Sequence, residues 1–456
     1  MMRLLRSSTA FRVGIALVAL TLLVRLVPAW LLLAEVAYIA TYRTQALAVL
    51  RGDNIYVYPI LFPYTPFSQF LPAWMMQLAQ ATAWRFDFAA KLPAIVGDGI
   101  TSALLFAYLR HRGTSLVRTA LWSLVWALNP VAILVSAFHG NMMSLAATLI
   151  AGALFAADAA ETHPERGTLL AISALLLGFN VAFRSFPIVL LPAFLVLACR
   201  AWREVLAYVL LTALPGALSS IPYLVLAPAS FLHEALTYSG STDFGWMAAA
   251  RDVPLYMKGL KLQQLDAATL DFSKRMFLIG DVLATLLLPF FRRTSLSAAL
   301  LLPPLLFYGL YGGVSAQYLV WALIIALMMR EKVAAIYTLL AGTAMVTFYT
   351  MYHAAILTGR LGKQLPENQL LVGLNLVANY GLVLLSLIWT AYIIIGELRA
   401  FRAGGAAIGE SWVSRTKWLW GSRGYAVALA LGIIPWLAQW QAAGARAHLI
   451  LAGLVR

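Results

Sequence analysis

The sequence predicts an all-α, polytopic integral membrane protein. Hydrophobic residues make up 62% of the 456 residues and charged residues only 11%, and the mean hydropathy is +0.83, a combination that excludes an ordinary soluble domain. The apolar stretches reach about 20 residues, which is long enough for a helix to cross the roughly 30 Å hydrocarbon layer. Because these stretches are continuously apolar rather than alternating, they predict helices and not barrel strands.

Basic residues fall in alternate gaps between these stretches, and most acidic residues fall in the other gaps. Since basic residues are retained on the cytoplasmic side of spanning helices, Arg3, Arg6 and Arg12 predict a cytoplasmic N-terminus. The net charge of +15 is then explained by topology, and no nucleic-acid partner is expected. The later gaps assigned to the same side contain Arg110, His111 and Arg112, then Glu165 and Arg166, Arg200 and Arg203, Arg292 and Arg293, Arg330 and Lys332, and the run from Arg399 to Arg423.

This threading predicts about 11 to 13 transmembrane helices. The predicted helices are Phe11–Ala34, Ala89–Leu109, Ser115–Phe138, Met143–Ala159, Thr168–Phe183, Phe186–Cys199, Val205–Leu224, Phe277–Phe291, Leu296–Leu310, Ser315–Met329, Val333–Met351, Leu370–Ile395 and Tyr425–Gln441. The apolar segment Pro66–Trp84 would reverse the threading if it spanned the membrane, so we interpret it as an interfacial or re-entrant helix.

We divide the chain into two parts. Residues 1–321 form a transmembrane module with external loops at 35–91 and 225–276. Residues 322–456 form C-terminal transmembrane helices with a basic cytoplasmic segment at 397–423.

The first external loop is too long to be a turn, since loops longer than about 15 residues in a compact fold usually have a function. It combines acids and phenols, namely Glu35, Tyr38, Tyr42 and Asp53. Aromatic faces pack on the apolar side of a sugar ring while polar groups bind its hydroxyls, so this set is suited to a sugar. An interfacial aromatic belt would also explain the tyrosines, but not Glu35 and Asp53.

The second external loop carries basic residues, among them Arg251 and Lys258. They run against the positive-inside tendency. An anionic ligand such as a lipid monophosphate or pyrophosphate would explain them. Ordinary salt bridges within the loop would explain them too, and both interpretations stay open.

Four ionisable residues fall within or at the ends of apolar stretches: Arg25, Asp98, Arg184 and Asp281. A carboxylate in hydrocarbon costs a few kcal/mol, so it normally faces a polar cavity and indicates a functional site. The structural alternative is an ion pair of Arg25 with Asp98 or with Asp281.

Short motifs occur in a fixed order along the chain. They are Tyr38–Arg43 with Gly52–Tyr56 and Tyr64–Pro66, Lys91–Asp98, Asn129-Pro130 with His139-Gly-Asn141, Phe183–Pro187, and Ala316–Trp321. In this order they resemble the GT-C superfamily, polytopic glycosyltransferases that take a sugar from a polyprenyl-phosphate carrier on the external or lumenal face. The similarity is closest to the mannosyltransferase and glucosyltransferase branches, and it covers roughly residues 25–321.

The resemblance implies an external carboxylate that acts as general base on an acceptor hydroxyl, with basic side chains around the leaving phosphate. The chain departs from the family pattern where Tyr38 replaces an acid, and where Met142 and Met143 follow the Gly-Asn pair. Neither a phenol nor a thioether accepts a proton at neutral pH. Glu35 lies one helical turn before Tyr38, so we take Glu35 as the base.

The remaining site residues follow from the same resemblance. Asp98 is a second acid that orients the acceptor or the base. The residues expected around the donor phosphate are Arg184, Arg251 and Lys258. The residues expected to bind substrate are Tyr38, Tyr42, Asp53, His139, Asn141, Gln317 and Tyr318. For His139 the alternative is a helix cap, for Asn141 a simple turn residue, and for Gln317 and Tyr318 side-chain packing.

The expected function is therefore transfer of a hexose of the mannose or glucose type from a polyprenyl-phosphate sugar donor to a lipid-linked or glycan acceptor on the external face. The expected surroundings are membrane lipid. No cofactor is required, although paired external acids could hold a divalent cation. Three other classes stay open: a non-catalytic subunit of the same architecture, a lipid or solute transporter (flippase), and a polymerase or ligase that uses lipid-diphosphate donors.

Overall fold

The computed structural model describes residues 8–32, 37–56, 66–142, 144–237, 241–256, 267–292, 295–358 and 368–403. Within these ranges the fold is all-helical, and β-type pairing is limited to an isolated bridge between Phe244 and Val314. The predicted helix Tyr425–Gln441 and most of the basic segment 397–423 lie outside the described residues.

The α-helices are α1 Ser8–Leu31, α2 Ala37–Leu50, α3 Phe67–Thr82, α4 Phe86–Ala89, α5 Leu92–His111, α6 Leu116–Ala127, α7 Pro130–Ile133, α8 Ser144–Ala159, α9 Arg166–Phe183, α10 Leu191–Ala193, α11 Trp202–Leu226, α12 Pro228–Thr237, α13 Gly245–Tyr256, α14 Ala267–Leu287, α15 Leu296–Leu310, α16 Leu319–Met329, α17 Val333–Tyr352, α18 Ala354–Thr358 and α19 Gln369–Ala403. Short 3-10 or π-helical turns extend several of them, including Leu134–Phe138 after α7 and Phe186–Leu190 before α10.

Six of these helices are long and apolar enough to cross a membrane, or seven if the bent pair Leu116–Ala127 and Pro130–Phe138 is one span. This is compatible with an integral, multi-pass membrane protein. Four further apolar helices are shorter, at 10–17 residues. Two of these, α15 and α16, are buried on nearly all sides, which is expected of a helix that is apolar all round.

The structure corrects the predicted boundaries in three places. Residues 225–276 are not simply a loop, because they contain α12 and α13, and α14 begins at Ala267 rather than at Phe277. The third predicted span is broken after Ala127 and bends by 40°. The helix expected to end at Ile395 continues to Ala403. The helices α12 and α13, the start of α14 and the end of α19 were not predicted because their sequences are too polar to resemble a membrane span.

The helices run back and forth between two faces. At one end of the bundle, Lys91 before α5 donates to the Leu32 carbonyl after α1 at 3.4 Å. At the other end, Arg112 after α5 contacts Asp158 near the end of α8 at 3.2 Å. We call these ends the Lys91 face and the Arg112 face.

The Arg112 face collects the basic residues of alternate gaps, and four of them form ion pairs with acids. The ion pairs there are Arg112 with Asp158 at 3.2 Å, Arg166 with Glu204 at 3.0 Å, Arg200 with Glu161 at 2.7 Å and Arg292 with Glu397 at 3.0 Å. Their grouping on one face agrees with the positive-inside pattern of the sequence.

The end of α5 shows why the chain turns back at this face. Gly113 follows the helix with φ +72°, and its N–H donates to the Arg110 carbonyl at 3.1 Å. The Thr114 N–H donates to the Leu109 carbonyl at 3.0 Å. This is a Schellman motif, which satisfies the last helical carbonyls and favours glycine at the left-handed position.

Small residues bring α9 against α11. Ser173 donates to the Ala153 carbonyl at 2.8 Å and shares a hydrogen bond of 2.8 Å with the Tyr208 hydroxyl. A Cβ atom on Gly178 would lie 2.6 Å from the Thr212 carbonyl oxygen. Without a hydrophobic driving force between helices in lipid, such close backbone approach is a main source of packing energy.

We predict that Gly178→Ala lowers the thermal stability of the purified protein in detergent. The added methyl group has to displace backbone, so we expect a loss of about 1–3 kcal/mol in the free energy of unfolding. Gly216→Ala in α11 is the control, because nothing lies within 4 Å of its added Cβ. If the two variants melt at the same temperature, the α9–α11 contact is not a close one.

Candidate functional site

The broken span removes the i+4 helical donor from two backbone carbonyls, although the Trp126 carbonyl still accepts from the Asn129 N–H at 3.1 Å. Pro130 has no N–H to give to the carbonyl of Trp126, four residues earlier. The N–H of Val131 would serve the carbonyl of Ala127, but it donates to the Asn129 side chain at 3.0 Å instead. A helix end inside a membrane needs another donor for such carbonyls.

Arg25 of α1 supplies that donor. Its guanidinium donates to the Ala127 carbonyl at 2.8 Å and to the Trp126 carbonyl at 3.3 Å, and its Nε donates to the Asp98 carboxylate. The Trp126 indole in turn donates to the Asp98 backbone carbonyl at 3.1 Å. Both charged side chains are 0% exposed. The cation thus caps the broken helix, and the anion neutralises the cation.

This placement settles the alternatives left open for the buried charges in favour of the Arg25–Asp98 ion pair. Asp98 lies about two turns below the start of α5 and has no exposed surface. The interpretation of Asp98 as an acid that contacts an acceptor is therefore not supported. Asp281 is a separate buried carboxylate in α14 with no ion pair among the described residues, and its Oδ1 has no hydrogen-bond partner there.

A polar cluster lies at the Lys91 face, where several helices end together. The His139 Nδ1 atom and the Tyr349 hydroxyl are hydrogen-bonded at 2.6 Å, Lys91 packs against Gly140, which follows His139, and His353 ends the helix that carries Tyr349. We call His139, Tyr349, Lys91 and His353 the Lys91 cluster. His353 is exposed at the end of α17 while Lys91 is 1% exposed, so the cluster extends from the surface into the protein.

Gly140 fits the His139 turn against Lys91. Its φ is +70°, and a Cβ atom there would lie 2.8 Å from Lys91 Cγ and 3.3 Å from Ile39 Cδ1 of α2. Both the conformation and the close contact require glycine. Asn141, buried beside this turn, donates its N–H to the Val135 carbonyl at 3.0 Å, so the predicted pair His139 and Asn141 is held at the Lys91 face.

Arg184 lies at the same face, at the end of α9. Its N–H donates to the Asn180 carbonyl at 2.7 Å, its backbone is extended, and it is 7% exposed. It directly follows Phe183, which lines an apolar groove described below. Two residues later, Phe186 joins an aromatic group with Tyr318, at 6.1 Å between ring centroids.

Gln317 and Tyr318 agree with the packing interpretation. The ring of Tyr318 lies 4.9 Å from that of Trp321 and 5.1 Å from that of Phe307, and its backbone carbonyl accepts from the Tyr308 hydroxyl. Gln317 is also buried. Neither side chain is presented to an external ligand.

The predicted sugar-binding residues of the first loop are dispersed. Tyr42 is buried in the main core through α2, and Asp53 pairs with Arg51 at 2.8 Å on the surface. These positions do not favour a role in binding a sugar. Glu35 and Lys258 lie outside the described residues, and for Tyr38 and Arg251 only the backbone is described, in α2 and α13.

Two apolar grooves flank α5. The first, which we call the α3–α8 groove, has a volume of about 490 Å³ and is lined by Phe67, Leu71, Trp74, Ile100, Leu104, Leu145, Thr148, Leu149, Gly152, Leu176 and Phe183. The second, the α1–α5 groove, has a volume of about 470 Å³ and shares Ile100 and Leu104 with the first. The α3–α8 groove reaches the Lys91 face, because Leu145 begins α8 there and Phe183 ends α9 there.

Lys91, Tyr349 and His353 were not assigned a role from the sequence. A lysine directly before an apolar helix has an ordinary explanation as an interfacial anchor, and His353 lies far along the chain from every predicted motif. The sequence did contain one indication of a role for Lys91, since this residue begins the Lys91–Asp98 motif. Among the described residues, no group of three or more His, Cys, Asp or Glu side chains could hold a metal ion.

We predict that Asp98→Asn strongly destabilises the protein. The substitution leaves the Arg25 guanidinium buried without a counter-charge, which typically costs about 3–5 kcal/mol, so the melting temperature in detergent should fall markedly. Asp53→Asn is the control, because its surface pair with Arg51 contributes about 1 kcal/mol or less. An Asp98→Asn protein with normal stability and no activity would instead restore a catalytic role for Asp98.

The chain matches no protein-family model, no curated protein and no solved structure. The resemblance to glycosyltransferases therefore stays a prediction from the short motifs of the sequence.

Proposed function

We propose that the protein is a membrane glycosyltransferase of the GT-C type, which transfers a hexose of the mannose or glucose type from a polyprenyl-phosphate sugar to a lipid-linked or glycan acceptor. One observation carries the proposal: an apolar groove reaches a helix-end face that also holds cationic and hydrogen-bonding side chains. A lipid with a phosphate head requires both features side by side.

The donor would lie with its hydrocarbon chain in the α3–α8 groove. The volume of about 490 Å³ falls within the usual range for small-molecule sites, roughly 300–1,000 Å³. Phe183 lines the groove and is followed by Arg184, so a phosphate at this end would meet a guanidinium. Leu145 lines the groove four residues after Asn141, which connects the groove to the Lys91 cluster along the chain.

The chemistry would take place beside the Lys91 cluster. The acceptor hydroxyl attacks the anomeric carbon, the bond from that carbon to the phosphate oxygen breaks, and polyprenyl phosphate leaves with the bonding electrons. A general base takes the hydroxyl proton, which is worth about 10²–10⁴ in rate. The contact of Lys91 with the Leu32 carbonyl places the end of α1 at the cluster, and Glu35 follows Leu32 by three residues in the sequence, so Glu35 is our candidate base.

The proposed topology follows from the grouping of basic residues. With the Arg112 face and the N-terminus on the cytoplasmic side, the Lys91 face is external or lumenal. The four shorter apolar helices would bring the six or seven long ones to 10 or 11 spans, and α14 and the predicted helix Tyr425–Gln441 would complete the expected 11 to 13. The donor and acceptor would then both be reached from outside the cytoplasm.

A transporter is the second candidate, and the broken span at Asn129 and Pro130 is the observation that favours it. Transporters often bind substrate with unpaired backbone groups at such breaks. Here the carbonyls of Trp126 and Ala127 are already bound by Arg25. The break is thus occupied by the protein's own side chain, which favours the glycosyltransferase.

We predict transfer activity in the purified protein when it is supplied with a panel of polyprenyl-phosphate hexoses and a lipid-linked acceptor. Glu35→Gln should reduce the rate by at least about 10² without changing the melting temperature, with Asp53→Asn as the matched control. A fully active Glu35→Gln variant would rule out Glu35 as the base. Binding of donor without any transfer would instead identify a non-catalytic subunit, and movement of donor across vesicles would identify a flippase.

We also predict that Leu149→Trp, which fills the α3–α8 groove, raises the KM for a long-chain donor by about tenfold, as expected when roughly 1.4 kcal/mol of binding is lost. A donor with a chain of two or three isoprene units should be affected much less. Ile15→Trp fills the α1–α5 groove instead and is the control. Equal effects of the two variants on the long-chain donor would contradict the assignment of the groove.

A further inference from the structure

A polar cavity of about 340 Å³ lies at the Arg112 face, on the opposite side of the bundle from the proposed reaction. It forms where α5 and α16 end, where α15 begins, and beside the last turns of α19. The charged and polar residues that line it include Arg112, Arg292, Arg330, Ser295, Glu331 and Glu397. Nothing in the proposed transfer reaction uses this cavity.

Of the three arginines that line the cavity, one forms no ion pair with an acid in the described part of the chain. Arg112 pairs with Asp158 at 3.2 Å, and Arg292 pairs with Glu397 at 3.0 Å. Arg330 contacts the Thr114 hydroxyl at 3.3 Å, and in the described part of the chain it forms no ion pair. With Asp158 counted, the three arginines are matched by three acids, so the site rests on the guanidinium of Arg330 and not on a net charge of the lining.

The backbone at Arg330 also indicates a role for its side chain. Arg330 ends α16 with φ +61°, in the left-handed region that favours glycine. Glycine would end the helix with less strain but would provide no guanidinium. The cation is thus placed at the cavity despite an unfavourable backbone conformation.

A helix start adds to the positive potential. Ser295 precedes α15, but its hydroxyl donates to the Glu397 carboxylate at 2.8 Å, and it makes no cap to the helix. The first N–H groups of an α-helix have no intrahelical partner, and the helix dipole is positive at that end. Ser297 and Ala298 of this first turn line the cavity, so the start of α15 faces the same space as Arg330.

We propose that this cavity binds an anionic phosphate group, held by Arg330 and by the start of α15. The volume admits a phosphorylated head group, and one wall is Tyr392 of α19, which is 66% exposed on the outer surface of the bundle. The phosphate could belong to an anionic phospholipid beside α19 or to a free, soluble phosphate. The proposal is independent of the glycosyltransferase assignment.

The test uses full-length protein in a neutral detergent, titrated with three probes: short-chain phosphatidylglycerol, short-chain phosphatidylcholine and inorganic phosphate. Binding is measured as a shift of the melting temperature and as a Kd. Phosphatidylglycerol alone shifting the melting temperature identifies a lipid site, and inorganic phosphate doing so as well identifies a site for free phosphate. No shift with either anion overturns the proposal.

Variants show whether binding occurs in this cavity. Arg330→Gln should weaken binding by at least about tenfold, the usual effect of losing a charge-assisted contact. Arg203→Gln, an exposed arginine on the same face and outside the cavity lining, should change it less than twofold. Equal losses in the two variants would show nonspecific attraction and overturn the proposal.

A third variant removes binding without loss of folding. Ser297→Asp places a carboxylate in the first turn of α15, where an acid favours the helix but repels a bound anion. We expect a melting temperature equal to or above that of the wild type together with loss of the phosphate-dependent shift. An unchanged shift in Ser297→Asp would contradict the site even if Arg330→Gln proved unstable.

Discussion

The guanidinium of Arg25 is the group on which the centre of this fold depends. It joins α1 to the break after α6 through two backbone carbonyls, and to α5 through Asp98. In a membrane interior each of these polar groups would be costly alone. Together they bond one another, apart from Asp98 Oδ1, which has no hydrogen-bond partner among the described residues, so a proline-broken helix can lie within the bundle with the carbonyls at its break bonded.

The two faces of the bundle have different chemistry because the helix ends they collect are different. At the Arg112 face, four arginines form ion pairs with glutamates and aspartates. At the Lys91 face, lysine and histidine side chains lie with tyrosine and asparagine near an apolar groove. The first arrangement holds helices together, and the second leaves polar groups that a ligand could meet.

Much of the helical pattern could be predicted from the sequence, since long apolar runs leave few alternatives in a membrane. The break was missed, although Asn129-Pro130 is a recognised signal for a new helix start. The polar helices α12 and α13 were missed because they lack the signature of a span. The pairing of Asp98 with Arg25 stayed open because sequence gives no depth or partner for a buried charge, and Lys91 was given no role because a cation at a helix end has several ordinary explanations. Glu35 stays a prediction.

The shortness of α15 has a geometric consequence. Fifteen residues rise about 22 Å at 1.5 Å each, roughly 8 Å less than the hydrocarbon thickness. If α15 crosses the membrane, the turns at its two ends lie within the depth of the hydrocarbon layer, so their backbone groups must be bonded by neighbouring protein rather than by water.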